Sequence, residues 1–154
     1  MLKLLERIWK VIFDFRVKDI QKVKSDKHDY QWIAEKLKQL PNSGAGVRWD
    51  RLDENYWACS ESDIKNIAKW DLSSWNLWRP EKFDCDNFAL VFMAHVNFFF
   101  GINSVGLLID HDTKHAYNII VLSDGNLRVF EPQLDRWPTL GEGKYKCEKG
   151  VLVM

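Results

Sequence analysis

One sixteen-residue segment limits the folds open to this chain more than any other part of its sequence. Between positions 85 and 100 every residue is apolar except Asp86, Asn87, His95 and Asn97. Asp84 before the segment is a typical N-terminal helix cap, and Gly101 after it is a typical helix end. Because almost every side is apolar, we expect a helix over 85–100 that is buried over most of its surface.

The residue pattern changes to that of β-strands after this helix. Strands are predicted over 105–110, 115–122 and 127–130, and Asp124-Gly125 is the hairpin signal between the last two. A final hairpin is predicted from 145–147 and 151–153. Together with helices in the first part of the chain, this pattern predicts an α+β fold in which a central buried helix packs on a C-terminal antiparallel sheet.

The first 70 residues are predicted to be mainly helical. One helix covers 30–40 and stops at Pro41, and Ser60 followed by Asp63 resembles a capping box that starts a short helix through Lys69. The segment 1–20 is apolar but interrupted by charges, so an amphipathic helix packed on the domain is favoured over a signal peptide or membrane attachment. Its apolar face would consist of Leu5, Ile8, Ile12 and Phe15.

Composition excludes several classes of protein. The chain has 154 residues, the usual length of one domain, so we expect a single domain over 1–154, with a helical part over 1–70 and a functional core over 75–137. Lys plus Arg equals Asp plus Glu at 22 each, which gives no overall field to attract nucleic acid. No segment is apolar enough to cross a membrane. Without a signal peptide, a cytoplasmic location is expected; the oligomeric state stays open.

Three cysteines, Cys59, Cys85 and Cys147, leave at least one free thiol. A disulfide between Cys59 and Cys147 stays open. Cys85 begins the predicted helix, where the helix dipole and a nearby imidazolium would lower the pKa of its thiol. Taken alone, a cysteine is more often a small buried residue than a nucleophile.

His115 and Glu131 make a chemical role for Cys85 more plausible. His115 opens a predicted strand directly after a turn, which places its imidazole at the edge of the sheet. Glu131 ends the next strand and would hold the ring, so nucleophile, base and orienting acid occur in a workable order. The pairing register tests this idea. Only an odd loop or a bulge puts His115 and Glu131 on one face, and a three-residue loop over 123–125 with Gly125 left-handed pairs Tyr117 with Glu131.

These residues carry a resemblance to a known family. His115-Ala116-Tyr117-Asn118 and Glu131-Pro132-Gln133 resemble blocks of transglutaminase-like proteins, and with Phe83–Phe88 they are more similar to the agglutinin C-terminal domain. That family is a calcium-dependent, papain-like cysteine protease module, fused in fungi to a galactose-binding lectin, with stand-alone relatives in bacteria and phages. The resemblance covers about half of the chain, roughly 75–137. It implies a papain-like or transglutaminase-like fold and is compatible with a phage-encoded protein acting in the host cell.

The resemblance also implies roles for individual residues. Cys85, His115 and Glu131 become a catalytic triad, and Asp84 and Asp86 become candidate calcium ligands, although a helix cap and a first-turn acid explain them equally well. Gln133 is a second candidate for orienting the imidazole. No glutamine stands five to seven residues before Cys85 to stabilise an oxyanion, so the Cys85 backbone N–H and Trp78 are the candidates for that support, with Arg79 as an alternative whose simpler role is surface ion pairing. No other cofactor is implied.

The leading hypothesis is a cysteine hydrolase, a peptidase that acts on protein or peptide substrates through a thioester acyl-enzyme. A peptidoglycan amidase or endopeptidase and a transglutaminase-type acyl transferase are the enzymatic alternatives. The alternative of another class is a catalytically degenerate binding or inhibitory phage protein, because a fold alone does not establish activity.

Overall fold

The computed structural model describes residues 23–71, 73 and 77–154. The helix predicted from Leu5, Ile8, Ile12 and Phe15 lies outside the described residues. Three α-helices, one short 3-10 helix (Pro41–Gly44) and seven strands make up the regular structure of the described part. In chain order the α-helices and strands are β1 (Ser25–Asp29), α1 (Tyr30–Leu37), β2 (Val47–Asp50), β3 (Asn55–Cys59), α2 (Glu61–Ala68), α3 (Cys85–Phe100), β4 (Val105–Asp110), β5 (His115–Val121), β6 (Leu127–Phe130) and β7 (Gly150–Val153).

Local capping explains where the two short helices begin. The Asp29 side chain accepts a hydrogen bond from the Trp32 N–H at 2.8 Å at the start of α1. Ser60 accepts one from the Asp63 N–H at 3.2 Å at the start of α2, as the capping signal in the sequence predicts. Each helix then buries one apolar stripe and leaves its other side in water. The buried residues are Ile33 and Leu37 in α1, and Ile64, Ile67 and Ala68 in α2.

The bounds of α3 match those predicted from the sequence. Asp84 is its N-cap, with the Asn87 side chain accepting from the Asp84 N–H at 3.2 Å. Gly101 ends the helix in the left-handed conformation, with φ 65°. The expected burial on most sides is wrong, because Leu90 and Phe98 are 50% and 82% exposed. The helix therefore buries one face and presents a second apolar face at the surface.

Five strands form the larger sheet, in the order β2-β7-β4-β5-β6, and β1 pairs with β3 in a separate two-stranded sheet. Neighbours in the larger sheet are antiparallel except for β2 and β7, which are parallel. The last described strand, β7, thus occupies an interior position between β2 and β4. The predicted hairpin of 145–147 with 151–153 is not formed, because β7 finds both its partners elsewhere.

Helices cover both faces of β5, which explains why this strand is buried along nearly its whole length. Tyr117, Ile119 and Val121 pack into the core that contains Ile33 and Leu37 of α1. Ile120, on the opposite face, packs into the core that contains Phe92 and Val96 of α3. A strand buried on both faces reads as a continuous apolar run, as this one does. Its first residue, His115, emerges at the end of the covered region.

The predicted papain-like or transglutaminase-like α+β class does not describe this architecture correctly. Strands β1, β2 and β3 lie within the first 70 residues, which were predicted to be helical, and the sheet is mixed where an antiparallel one was expected. These three strands are only four or five residues long, too short for the sequence pattern to identify them, and pairing with other segments specifies them. The central helix is half-exposed. A fold richer in strands than expected, with only short helices besides α3, replaces the predicted one.

Among the described residues, no helix is long and apolar enough to cross a membrane.

Candidate functional site

The β5–β6 hairpin fixes the geometry of the site. Val121 pairs with Leu127 and Asn118 with Phe130, so Tyr117 and Glu131 are the next positions along the two chains beyond the paired residues. Residues 123–125 form a three-residue loop, closed by the Gly125 N–H donating to the Leu122 carbonyl at 2.8 Å. Gly125 has φ 85°, the left-handed conformation expected of it. The predicted odd loop is therefore confirmed.

The register brings His115 and Glu131 together. His115 Nε2 contacts Glu131 Oε2 directly. Both residues lie at the open end of the hairpin, opposite its loop. The Glu131 side chain is 1% exposed and the His115 side chain 13% exposed, so the pair is largely removed from water. A carboxylate can only accept hydrogen bonds, so in this contact Nε2 carries the proton. In the neutral form of a ring that donates through Nε2, Nδ1 is the remaining acceptor.

Two further groups hold the Glu131 carboxylate. The Tyr145 hydroxyl donates to Oε2 at 3.2 Å, and the Gln133 backbone N–H donates to Oε1 at 3.3 Å. Gln133, predicted as an alternative orienting side chain, contributes through its main chain instead. Tyr145 was not predicted for the site, since 145–147 was expected to be one strand of a final hairpin and is irregular in the structure.

Cys85 lies beside the first residues of β5. Its half-buried side chain packs against the small apolar cluster of Ala89, Leu107 and Ala116. The Ala116 backbone N–H donates a hydrogen bond to the sulfur. Cys85 is thus next to the residue that follows His115, but no hydrogen bond between Cys85 and His115 occurs among the described residues. The structure joins His115 with Glu131 directly and leaves Cys85 adjacent to this pair.

The expected lowering of the Cys85 pKa is not found. Burial raises the pKa of the thiol, and the negative charges of Asp84 and Asp86 raise it further, while the Ala116 N–H acts in the opposite direction. Burial penalises the charged thiolate because the core cannot solvate it. The free protein therefore keeps Cys85 mainly in the neutral thiol form at neutral pH.

Asp84 and Asp86 approach each other beside the thiol. Ligand atoms of Asp84, Cys85 and Asp86 all lie within 4.8 Å of one another. The hydrogen bond that the Asp86 carboxyl donates to Asp84 raises the pKa of Asp86, and burial and the Asp84 charge raise it further. Two carboxylates in this position suit a hard cation, but they supply only part of the six to eight oxygens that calcium takes. Water or main-chain oxygens would have to complete such a site.

Trp78, predicted to support an oxyanion, is half-exposed in the loop before Cys85. This loop is closed by the Arg79 N–H, which donates to the Phe83 carbonyl at 2.8 Å. The predicted role of Trp78 stays a prediction.

A buried polar network adjoins the site and was not anticipated. Asp110, 1% exposed, accepts hydrogen bonds from the Tyr117 hydroxyl at 3.1 Å and the Cys147 N–H at 3.2 Å. The Tyr117 ring packs edge-on against Tyr145, with 5.1 Å between ring centroids. Asp110 was predicted only as the last residue of the strand over 105–110, because these partners are distant in sequence. The network connects the turn before β5 to the residue that holds Glu131.

Cys59 and Cys147 are free and buried, so the disulfide left open by the sequence does not form. Burial raises the pKa of each thiol to about 12. Both are therefore far less reactive than Cys85 in the folded protein.

A groove of about 350 Å³ is lined by β6 together with residues of α2 and of the segment 137–140. Glu61 sits in it between two cations, with carboxylate oxygens 2.7 Å from Arg128 Nη2 and 2.7 Å from Lys65 Nζ. The Lys65 ammonium also stands 5.7 Å from the centre of the Trp137 ring. The groove thus combines an aromatic surface with three charges whose sum is positive.

Comparison with solved structures shows the fold that this chain shares. It matches the Polyporus squamosus lectin PSL1a in its complex with E64, with 24% identity over 87% of this chain and a TM-score of 0.64. It also matches that lectin bound to the human-type influenza-binding epitope Neu5Acα2-6Galβ1-4GlcNAc, with 21% identity and a TM-score of 0.64. The chain covers 52% and 50% of those chains, about half of their length. No family model and no curated protein matches the sequence.

These comparisons correct the predictions of family and activity. The matching structures are named as a lectin and not as a papain-like protease, so the assignment to the agglutinin C-terminal domain as a protease module is wrong by this comparison. The predicted cysteine hydrolase, thiol protease and enzyme class are overturned by the same finding. At these identities the likeness shows the fold alone. Ligands of the lectin therefore reach this chain only as proposals.

Proposed function

We propose that this chain is a ligand-binding domain in which Cys85, His115 and Glu131 form the binding site for a peptide-like, electrophilic ligand. The observation that carries the proposal is the His115–Glu131 contact beside the Cys85 thiol, whose sulfur accepts the Ala116 N–H. A buried carboxylate that fixes an imidazole next to a thiol is an arrangement suited to moving one proton. The proposal concerns binding, and it includes no turnover of a substrate.

The protonation states define what the site does. Cys85 is a neutral thiol in the free protein, because burial and two nearby carboxylates raise its pKa. Glu131 occupies His115 Nε2, which leaves Nδ1 to take the thiol proton. Such hydrogen bonds often become short only when a ligand is bound. We therefore propose that the thiolate forms on ligand binding, with Glu131 stabilising the imidazolium.

E64 is the probe that the comparison suggests, because the similar lectin PSL1a is described in complex with it. E64 is a peptide-like molecule that carries an epoxide, and thiolates open epoxides. In the proposed step the Cys85 sulfur bonds to one epoxide carbon and the carbon–oxygen bond breaks. The oxygen then takes the proton that His115 received from the thiol. Every atom is retained, and one ligand is consumed per site.

Intact-mass measurement and peptide mapping after treatment with E64 test this proposal. We expect one adduct per chain, located on Cys85, and at least about tenfold slower labelling in His115→Ala, because the histidine accepts the thiol proton. His111→Ala is the matched control, since His111 is an exposed histidine in the turn that precedes β5. Labelling of Cys59 or Cys147 instead, or equal rates in wild type and His115→Ala, would refute the proposal.

A second candidate function is binding of an acidic glycan in the groove beside Trp137. One matching structure is a lectin bound to an epitope that contains Neu5Ac, a carboxylated sugar. The Trp137 ring could stack on a sugar ring, and the net positive set of Lys65, Arg128 and Glu61 suits a carboxylate with neighbouring hydroxyls. This groove is distinct from the Cys85 site, so the two functions are independent.

Titration with Neu5Acα2-6Galβ1-4GlcNAc and with Galβ1-4GlcNAc tests this second candidate. We expect the sialylated glycan alone to bind, and Trp137→Ala to abolish the binding. Trp57→Ala is the control, because Trp57 also carries a lysine ammonium near its ring, at 5.6 Å, but lies on β3 away from the groove. Equal binding of both glycans, or persistence of binding in Trp137→Ala, contradicts this assignment.

A further inference from the structure

Tyr145 shares one carboxylate oxygen with His115. Its hydroxyl donates to Glu131 Oε2 at 3.2 Å, and the same oxygen contacts His115 Nε2. The Tyr145 ring also packs edge-on against the His115 ring, with 6.0 Å between centroids. It therefore touches both members of the pair at once.

We infer that Tyr145 is a positioning residue, which fixes the Glu131 carboxylate and thereby holds His115 in the tautomer protonated on Nε2. The inference deepens the proposed binding site, and its consequence for ligand reactivity rests on that proposal. The tautomer itself can be measured without any ligand.

A glutamate carboxylate can turn about its last side-chain bond. The terminal torsion of a glutamate side chain is broad, so one hydrogen bond does not fix its plane. Gln133 anchors Oε1 through its N–H at 3.3 Å, and Tyr145 anchors Oε2 at 3.2 Å. Donors on two different oxygens prevent rotation of the group. With Tyr145 removed, only the contact with the histidine itself would hold Oε2.

The Tyr145 hydroxyl can hold the carboxylate only while it keeps its proton. Burial raises its pKa to about 12, and the charge of Glu131 acts in the same direction. The hydroxyl therefore remains protonated at neutral pH and can serve as a permanent donor. A donor with a pKa close to neutral would hold the Glu131 carboxylate over only part of the pH range.

Tyr145 is itself kept in place by main-chain hydrogen bonds and by the packing of its ring. Its N–H donates to the Glu142 carbonyl at 2.9 Å, and its carbonyl accepts from the Gly141 N–H at 2.8 Å. Its ring packs against Tyr117, whose hydroxyl is tied to Asp110 at 3.1 Å. A donor held on both its main chain and its ring can act as a fixed reference for the carboxylate.

Nitrogen-15 NMR of the His115 ring, in the full chain with Cys85 unmodified, tests the inference. In wild type we expect the spectrum of the Nε2-protonated tautomer. In Tyr145→Phe we expect a mixture of both tautomers, because Glu131 is free to turn away. Tyr56→Phe is the matched control, since it removes another buried tyrosine hydroxyl, which donates to the Met154 carbonyl at 2.9 Å far from the site. An unchanged tautomer in folded Tyr145→Phe overturns the inference.

Labelling kinetics with E64 provide a second readout. We expect Tyr145→Phe to lower the maximal labelling rate by roughly threefold to tenfold, with the half-saturating E64 concentration nearly unchanged, because the histidine is misplaced while the ligand contacts remain. A loss of thermal stability with unchanged labelling rate would mark Tyr145 as merely structural. If wild type is not labelled at all, the proposed function fails, while the NMR result still decides the role of Tyr145.

Discussion

The Tyr117 hydroxyl donates a hydrogen bond to the Asp110 carboxylate at 3.1 Å in a region closed to water. The same carboxylate accepts from three backbone N–H groups, those of Asp112, Thr113 and Cys147. Asp110 therefore ties the turn before His115 to the segment that carries Tyr145. Replacing a buried carboxylate that accepts from four donors should lower the free energy of unfolding by a measurable amount.

We predict that Asp110→Asn lowers the free energy of unfolding by about 2–3 kcal/mol. The amide nitrogen of Asn cannot accept a hydrogen bond, so at least one buried donor would lose its acceptor. Denaturant unfolding measures this loss. Asp124→Asn is the control, since the exposed Asp124 accepts from the Asn126 N–H at 2.9 Å in an open turn and should change stability little. Equal stability changes in both variants would contradict the prediction.

Gly125 sets the length and geometry of the β5–β6 loop. We predict that Gly125→Ala costs about 1–2 kcal/mol, because φ is 85°, beyond the left-handed range that other residues adopt; the nearest atom to an added Cβ is the end of the flexible Lys36 side chain, which can move aside. Gly101→Ala is the comparison, since Gly101 has φ 65° and open space where a Cβ would be. Thermal unfolding of both variants compares the two positions. A smaller loss for Gly125→Ala than for Gly101→Ala would contradict the expectation that backbone strain is larger at the larger φ.

Acid should weaken the ion pairs of Glu61. Hydrogen bonds from Arg128 and Lys65 lower the Glu61 pKa to about 2. A lowered pKa contributes stability that is present above the value of an unfolded glutamate, about 4.3, and is lost as pH falls toward 2. Because a third of the Glu61 side chain is exposed, we expect less than about 1 kcal/mol.

Urea unfolding of wild type and Glu61→Gln across this pH range measures the effect. The difference between the two proteins should shrink as the pH decreases. Glu35→Gln serves as the control, because its partner Lys38 lies in a fully exposed pair. A difference that grows with acidity would contradict the assignment of the low pKa to Glu61.

Removing the charge of Asp86 should make Cys85 more reactive. Asp86 raises the Cys85 pKa, so Asp86→Asn increases the thiolate fraction at neutral pH. We predict roughly twofold to fivefold faster alkylation by iodoacetamide. Asp112→Asn, in the exposed turn before His115, is the control. Slower alkylation of Asp86→Asn than of the control would show that the carboxylate assists the thiol.

The calcium expected from the resemblance can be tested by the same reaction. A cation on Asp84 and Asp86 would cancel their charge, so calcium should speed alkylation of wild type but have little effect on Asp86→Asn. Magnesium is the control, because it demands a stricter geometry and keeps its waters. A wild-type rate that does not depend on calcium leaves the two acids as a helix cap and its neighbour.

Local signals explain what the sequence predicted correctly. Asp84 and Gly101 mark both ends of α3, and the register of the β5–β6 hairpin depends on the loop around Gly125. That register is also why the His115–Glu131 contact could be anticipated. Each of these features involves residues that are close in sequence or joined by one turn.

Nonlocal contacts explain which features the predictions from the sequence missed. The parallel pairing of β2 with β7 joins segments about a hundred residues apart, and the sequence of neither strand indicates which strand it pairs with. Tyr145 reaches Glu131 from an irregular segment. The raised pKa of Cys85 depends on how deeply the helix start is buried, a quantity that the order of residues does not contain.

The interior position of β7 has a consequence for synthesis on the ribosome. Strands β2 and β4 leave the exit tunnel well before Gly150–Val153, yet they are neighbours of that strand and not of each other. Until β7 emerges, both carry unpaired edges that invite pairing with other chains. The nascent chain is thus exposed to aggregation until β7 inserts. Early release short of residue 150 would leave the sheet in two pieces, β2 alone and β4–β5–β6.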